Sequence, residues 1–159
     1  LIFLLGGTLI YISQSDKIKE TSGLIRLYPY IGWMFFIGAF AIAGIPPLSG
    51  FVGKIYITTG TFKATYFWLG ALGLLTSLMA LYSLMKIFMN CFWGNTNLTP
   101  DREQKPPAAI LLPLGILTAL TIFIGIGAES IFPYLDLATY TIMNPSLYIE
   151  AVLDPSNLL

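Results

Sequence analysis

Residues 41–60 read AIAGIPPLSGFVGKIYITTG, an apolar run holding two adjacent prolines, four glycines and one lysine, Lys54. Its reading decides the fold, because the apolar region around it extends from about Tyr30 to Gly60. As one straight helix that region would be about 46 Å long, against about 30 Å of bilayer hydrocarbon, so it must be interrupted. Pro46 and Pro47 are the point of interruption, since neither has an N–H to donate and each disfavours helical backbone at the residue before it. Gly44, Gly50 and Gly53 add backbone freedom around the same point.

Two geometries satisfy this. In the first, residues 31–45 and 48–62 are half-helices of one crossing, joined at membrane depth through IPPLSG (45–50). In the second, the prolines form a surface turn between two crossings, each of about 15 residues or about 22 Å, which is short for a full span. The next segment, ATYFWLGALGLLTSLMALYSLMKIFMNCFW (64–93), is long enough to cross alone and lends nothing to its predecessor. A discontinuous helix over 30–62, broken at 45–50, is therefore the expected arrangement.

Composition supports a membrane setting: 56% of residues are hydrophobic, 10% are charged, and the mean hydropathy is +0.78. Formal net charge is zero, which points to no nucleic-acid partner. The lone cysteine, Cys91, excludes a disulfide framework within the chain, and the absence of histidine excludes a His-based metal or acid–base site. No metal or cofactor is expected. The fold class read from the chain is all-α, a polytopic transmembrane helix bundle containing a discontinuous helix.

Outward from the break, residues 1–12 are expected to be the end of a truncated transmembrane helix. The run LIFLLGGTLIYI opens at Leu1 with no basic region before it and no cleavage site after it, so the sequence reads as a fragment of a longer chain and not as a signal peptide. Residues 13–29 are a polar loop, 94–107 a second one, and 108–128 a further crossing with Pro113 as a tolerated kink. Residues 129–159 read as a tail with a short interfacial helix or two, punctuated by Pro133, Pro145 and Pro155. No internal repeat or low-complexity segment is visible.

Basic residues set the orientation. With one broken crossing, the loops at 13–29 and 94–107 share a side carrying Lys17, Lys19, Arg26, Arg102 and Lys105, with Lys86 nearby, whereas the other side has Lys63 alone. That bias makes the loops cytoplasmic and the C-terminus extracytoplasmic. Two separate crossings would erase it. Trp33, Trp68 and Trp93, with Tyr11, Tyr28, Tyr30 and Tyr66, fall near helix ends as interfacial aromatics do. Met79, Met85 and Met89 read as gap-filling residues and Cys91 as a small buried or interfacial side chain.

A lysine near mid-membrane costs about 2.5 to 3.5 kcal/mol on insertion scales. One reading is snorkelling to an interface along its flexible stem. The other is a proton relay facing a hydrated interior, in which an amine moved between apolar and carboxylate-bearing surroundings gains and loses a proton near neutral pH. Unpaired backbone groups at the break can hold water or an ion. Ser49 either hydrates the joint or satisfies the backbone beside it. No acidic residue lies at membrane depth in this chain, so a carboxylate partner must come from elsewhere.

GFVGKI is no phosphate-binding loop, because the first required glycine falls at Leu48 and Ile55 follows the lysine. Asn97-Leu98-Thr99 fits a glycosylation acceptor but falls in a loop expected to be cytoplasmic. Glu129, Glu150 and Asp154 read as interfacial carboxylates, with subunit contact the sharper possibility for the last two.

AIAGIPPLSGFVGK resembles the segment shared by the antiporter-like membrane subunits of Mrp-type Na⁺/H⁺ antiporters and of respiratory complex I. LIFLLGGTLIY resembles the continuation of the helix preceding it, and NPSLYIEAVL (144–153) resembles the C-terminus of the D-type Mrp subunits. The resemblance implies roughly the last third of a fourteen-helix subunit built from two inverted five-helix repeats, each with a discontinuous helix. It also implies that Lys54 belongs to a central chain of charged, hydrated residues that conducts protons. Some relatives carry glutamate there, and the upstream members of the chain would fall before Leu1. The function so implied is a proton-conducting subunit of a monovalent cation/proton antiporter, partnered by other subunits, lipid, Na⁺ and H⁺, in a bacterial plasma membrane. A redox-driven proton pump of the complex I or membrane-bound hydrogenase type, and a non-conducting assembly scaffold, are the alternatives.

Overall fold

The computed structural model describes residues 1–15, 17–18, 21–95, 105–146 and 149. Seven helices account for most of them: α1 (Ile2–Ser13), α2 (Leu24–Leu27), α3 (Pro29–Ala43), α4 (Ser49–Lys63), α5 (Phe67–Phe92), α6 (Ala108–Ile126) and α7 (Ala128–Met143). No strand occurs among the described residues. Residues 1–126 form one compact unit and 127–159 a second.

Local chemistry explains the boundaries of α3. Pro29 sits in its first turn, where the missing N–H is lost to no bond, and Gly44 ends it in the left-handed conformation at φ 80°. The Pro46–Pro47 bond is cis, and α4 begins two residues later at Ser49. The interruption thus spans residues 44–48, and each flanking helix has 15 residues, or about 22 Å.

α5 has 26 residues and α6 has 19, about 39 and 28 Å, so both are long enough to span hydrocarbon. Only 6% and 11% of their most apolar 18-residue windows is buried, which separates them from the core helices of a water-soluble domain. Leu78, Met79, Tyr82, Leu112 and Phe123 are each more than three-fifths exposed. Helices apolar on every side are stable in lipid or within a larger apolar assembly.

α5 is the spine against which the interrupted segment is laid. At its C-terminal end the Phe35 ring of α3 lies 5.4 Å from that of Phe92 and 6.2 Å from that of Phe88. Beside them a Cβ on Gly32 would be 3.3 Å from Phe92 Cδ1. At its N-terminal end the partner is the close of α4: the Phe62 and Phe67 rings are 5.6 Å apart. There a Cβ on Gly70 would stand 2.8 Å from both Phe62 Cε1 and Thr61 Oγ1. α3 and then α4 run along one long helix in the opposite sense. α3 and α4 thus follow one another along α5, on either side of the interruption.

The core lies at the α3 end of this arrangement, where Leu5, Leu9 and Ile12 of α1, Leu24, Ile31, Phe35, Phe92 and Leu114 are buried together. The hydroxyls of Thr8, Ser13 and Thr118 donate to the carbonyls of Leu4, Leu9 and Leu114, one turn back on their own helices. Buried polar groups are thereby satisfied without water. Thr21 Oγ1 bonds Cys91 Sγ at 3.4 Å, and Ser22 Oγ donates to the Asn95 carbonyl at 2.7 Å. The chain around residue 22 and the chain following α5 therefore lie at the same end of the bundle. Cys91 is buried there at 3% exposure.

In the second unit, α7 carries Ile131, Leu135, Ala138 and Ile142 on one stripe, with Glu129 and Asp136 off it. Pro133 does not punctuate this segment as its type suggests. It sits in the second turn of α7, where loss of one N–H bond is tolerated and the helix continues to Met143. Lys19, Arg102, Asn97-Leu98-Thr99, Glu150, Asp154, Pro155 and most of NPSLYIEAVL lie outside the described residues.

Candidate functional site

The last four carbonyls of an α-helix have no partner within it, and at the break those of α3 find three kinds of solution. The Phe40 carbonyl accepts from the N–H groups of both Gly44 and Ile45, each at 3.0 Å. That pattern needs the left-handed backbone Gly44 supplies. The Ala41 carbonyl accepts a second, 3.1 Å bond from the Gly44 N–H. The Ile42 carbonyl accepts from the Lys54 ammonium, which reaches back across the joint from the second turn of α4. A cation at a helix C-terminus is favourably placed against the negative end of the macrodipole.

Two close approaches hold the ends of the half-helices together. Gly50, in the first turn of α4, passes so near the Ala41 carbonyl that a Cβ would overlap its oxygen. On α6, a Cβ at Gly125 would overlap the Pro47 carbonyl and stand 2.6 Å from the Leu48 carbonyl carbon. The joint is thus clamped by backbone on both sides. Leu48 itself is buried at 8% exposure, and its N–H closes a 3.1 Å turn bond to the Ile45 carbonyl.

Lys54 lines an open groove of about 290 Å³ together with Gly44, Phe51, Thr58, Thr59 and Leu74. A second groove, of about 500 Å³, is bordered by Ala41, Ile42, Ser49, Gly50 and Thr121. Ser49 is the first residue of α4, and among the described residues no side-chain bond caps that terminus. Among the described residues no group of three or more His, Cys, Asp or Glu side chains could hold a metal ion.

Lys54, Gly44, Ser49 and Gly50 are therefore brought to one place, and Pro46 and Pro47 form the turn beside it. Gly53 is not part of this packing: it is inside α4, a Cβ placed on it would have nothing within 4 Å, and nothing in the structure explains a glycine there. Sequence reading missed three participants. Thr58, one turn beyond Lys54, was available from helical spacing. The Ile42 carbonyl and Gly125 carry no sequence signal, since one is a backbone atom and the other is 78 residues from Pro47.

A bundle of helices, two of them long and apolar enough to cross a membrane and two others flanking a proline break, is the architecture of an integral-membrane helical protein. Residues 1–80 match the family described as NADH:quinone oxidoreductase/Mrp antiporter, TM, which bears that class out, and the chain belongs to that family. The Na(+)/H(+) antiporter D subunit of Bacillus subtilis (strain 168) is 45% identical over 152 residues, which are 96% of this chain and 31% of that protein. The Na(+)/H(+) antiporter D subunit of Alkalihalophilus pseudofirmus is 39% identical over 152 residues, with the same shares of 96% and 31%. The chain spans about a third of the length of these relatives.

Proposed function

We propose that this chain is a proton-conducting part of a subunit of a bacterial monovalent cation/proton antiporter, exchanging Na⁺ for H⁺, with Lys54 as the relay group. The observation that carries the reading is the environment of Lys54: a cation within a broken apolar helix, bonded to a main-chain carbonyl and opening onto a groove with two threonines. An ammonium held by a main-chain carbonyl can hand its proton to water in the groove and take another.

The other residues act around it. Gly44, Pro46, Pro47 and Gly50 build the break, and Ser49 and Thr58 offer hydroxyls to water near it. Other subunits of the complex, lipid, Na⁺ and H⁺ are the partners. The loops at 13–29 and 94–107 face the cytoplasm and the tail from 129 faces outward, as the excess of basic residues on the former side requires. The family also embraces oxidoreductase subunits, but the relatives at 45% and 39% identity are named as antiporter subunits of the D type, which favours a secondary transporter over a redox-driven pump.

The test is Na⁺-dependent dissipation of a proton gradient in everted vesicles containing the full complex. With assembly matched by native gel, Lys54→Ala is expected to bring exchange to the level of vesicles lacking the complex. Wild-type exchange by that variant would make Lys54 a structural residue and sink the proposal.

A further inference from the structure

We propose that Gly44 is a positioning residue: its missing side chain admits the Lys54 ammonium to the carbonyl end of α3, so that within this chain the relay cation is seated against a helix terminus. The inference rests on the reading of Lys54 as the relay group and deepens it.

Three observations meet at Gly44. The lysine stem passes directly over it, so that a Cβ there would lie 2.5 Å from Lys54 Cδ and 3.2 Å from both Cε and Nζ. Those atoms lead to the bond from the ammonium to the Ile42 carbonyl. Among the described residues no carboxylate lines the groove in which the lysine lies, so the negative end of α3 is the opposite charge the structure places beside it.

Gly44 then meets two separable demands. Its backbone, at φ 80°, must be left-handed to close α3, a conformation that asparagine also adopts. Its α-carbon must also leave room for the lysine stem, because a side chain there would push the stem off this path. Asparagine satisfies the first demand and violates the second. Alanine violates both, with the added strain of a Cβ at positive φ.

The experiment compares Gly44→Asn, Gly44→Ala and Lys54→Ala in the full complex, with assembled amounts matched and Na⁺/H⁺ exchange measured in everted vesicles. It is paired with solid-state NMR of complex labelled at lysine ¹⁵Nζ and isoleucine ¹³C′. Wild type is expected to give an Nζ–C′ contact that Lys54→Ala abolishes. Gly44→Asn is expected to assemble normally, lose that contact, and exchange about tenfold or more slowly, the weight of a charge at a partly buried helix terminus. Wild-type exchange by Gly44→Asn would limit Gly44 to its backbone role and overturn the proposal. Absence of the contact in wild type would overturn it whatever the variants do. If Lys54→Ala exchanges normally while the contact is present in wild type, the relay reading fails and the seat itself stands.

Discussion

Gly50→Ala is expected to prevent the two half-helices from closing on each other and to leave little assembled complex. A Cβ at this position overlaps the Ala41 carbonyl oxygen and stands 2.9 Å from its carbon. Both are backbone atoms in the last turn of α3, so no side-chain rotation relieves the clash. Either α4 withdraws from α3, which carries Lys54 away from the Ile42 carbonyl, or the last turn of α3 unwinds. Overpacking of this kind costs about 1–3 kcal/mol where side chains can yield; against backbone the upper end is expected. Thermal unfolding of the detergent-solubilised complex, with native-gel quantification, reads the effect. Gly53→Ala is the control three residues along the same helix, where nothing lies within 4 Å, and alanine there should be neutral or slightly stabilising. Equal stability of the two variants would show that α3 and α4 do not approach as described.

The second large effect is expected at Gly125→Ala, more than seventy residues from the break in sequence. Its Cβ would overlap the Pro47 carbonyl and lie 2.7 Å from Leu48 Cα. α6 must then move off the joint, and the loss is expected to equal or exceed about 3 kcal/mol because no flexible group is available to absorb it. The assembled fraction should fall, and exchange per vesicle with it. Gly115→Ala, on the same helix with open space beside it, should leave the melting transition unchanged. A Gly125→Ala complex that melts with wild type would mean that α6 does not clamp the joint.

Both expectations depend on contacts that could not be read from the chain. The break could be, because its cause is local. Pro46 and Pro47 lack N–H groups, and a helix through them would be too long for the bilayer. The half-helices expected at 31–45 and 48–62 are found at 29–43 and 49–63. The two-residue differences reflect Pro29, which starts α3 earlier, and Gly44, which ends it with a left-handed turn. Lys54 was legible for a similar reason, as a charge within an apolar run is conspicuous without any structure. Its partner was not. Charge counting looks for an acidic side chain, and the group the lysine meets is the carbonyl of an isoleucine.

The same division separates the three glycines singled out beside the prolines. All read alike in sequence as sources of backbone freedom. In the structure Gly44 is needed for its positive φ and for the lysine stem above it, Gly50 for a backbone crossing, and Gly53 for neither. Whether a glycine is required depends on what stands opposite its α-carbon, and that neighbour is supplied by chain folding back from a distance.

By itself, the sequence determined the all-helical class, the apolar spans, the place of the interruption and the singularity of Lys54, because proline chemistry, hydropathy and charge act through neighbouring residues. Only the tertiary structure decided that α3 and α4 lie end to end along α5, that Gly125 closes the joint, and that the C-terminus of α3 receives the lysine. Those outcomes depend on which backbone atoms come within a few ångströms of one another once the helices pack, and no residue type announces that in advance.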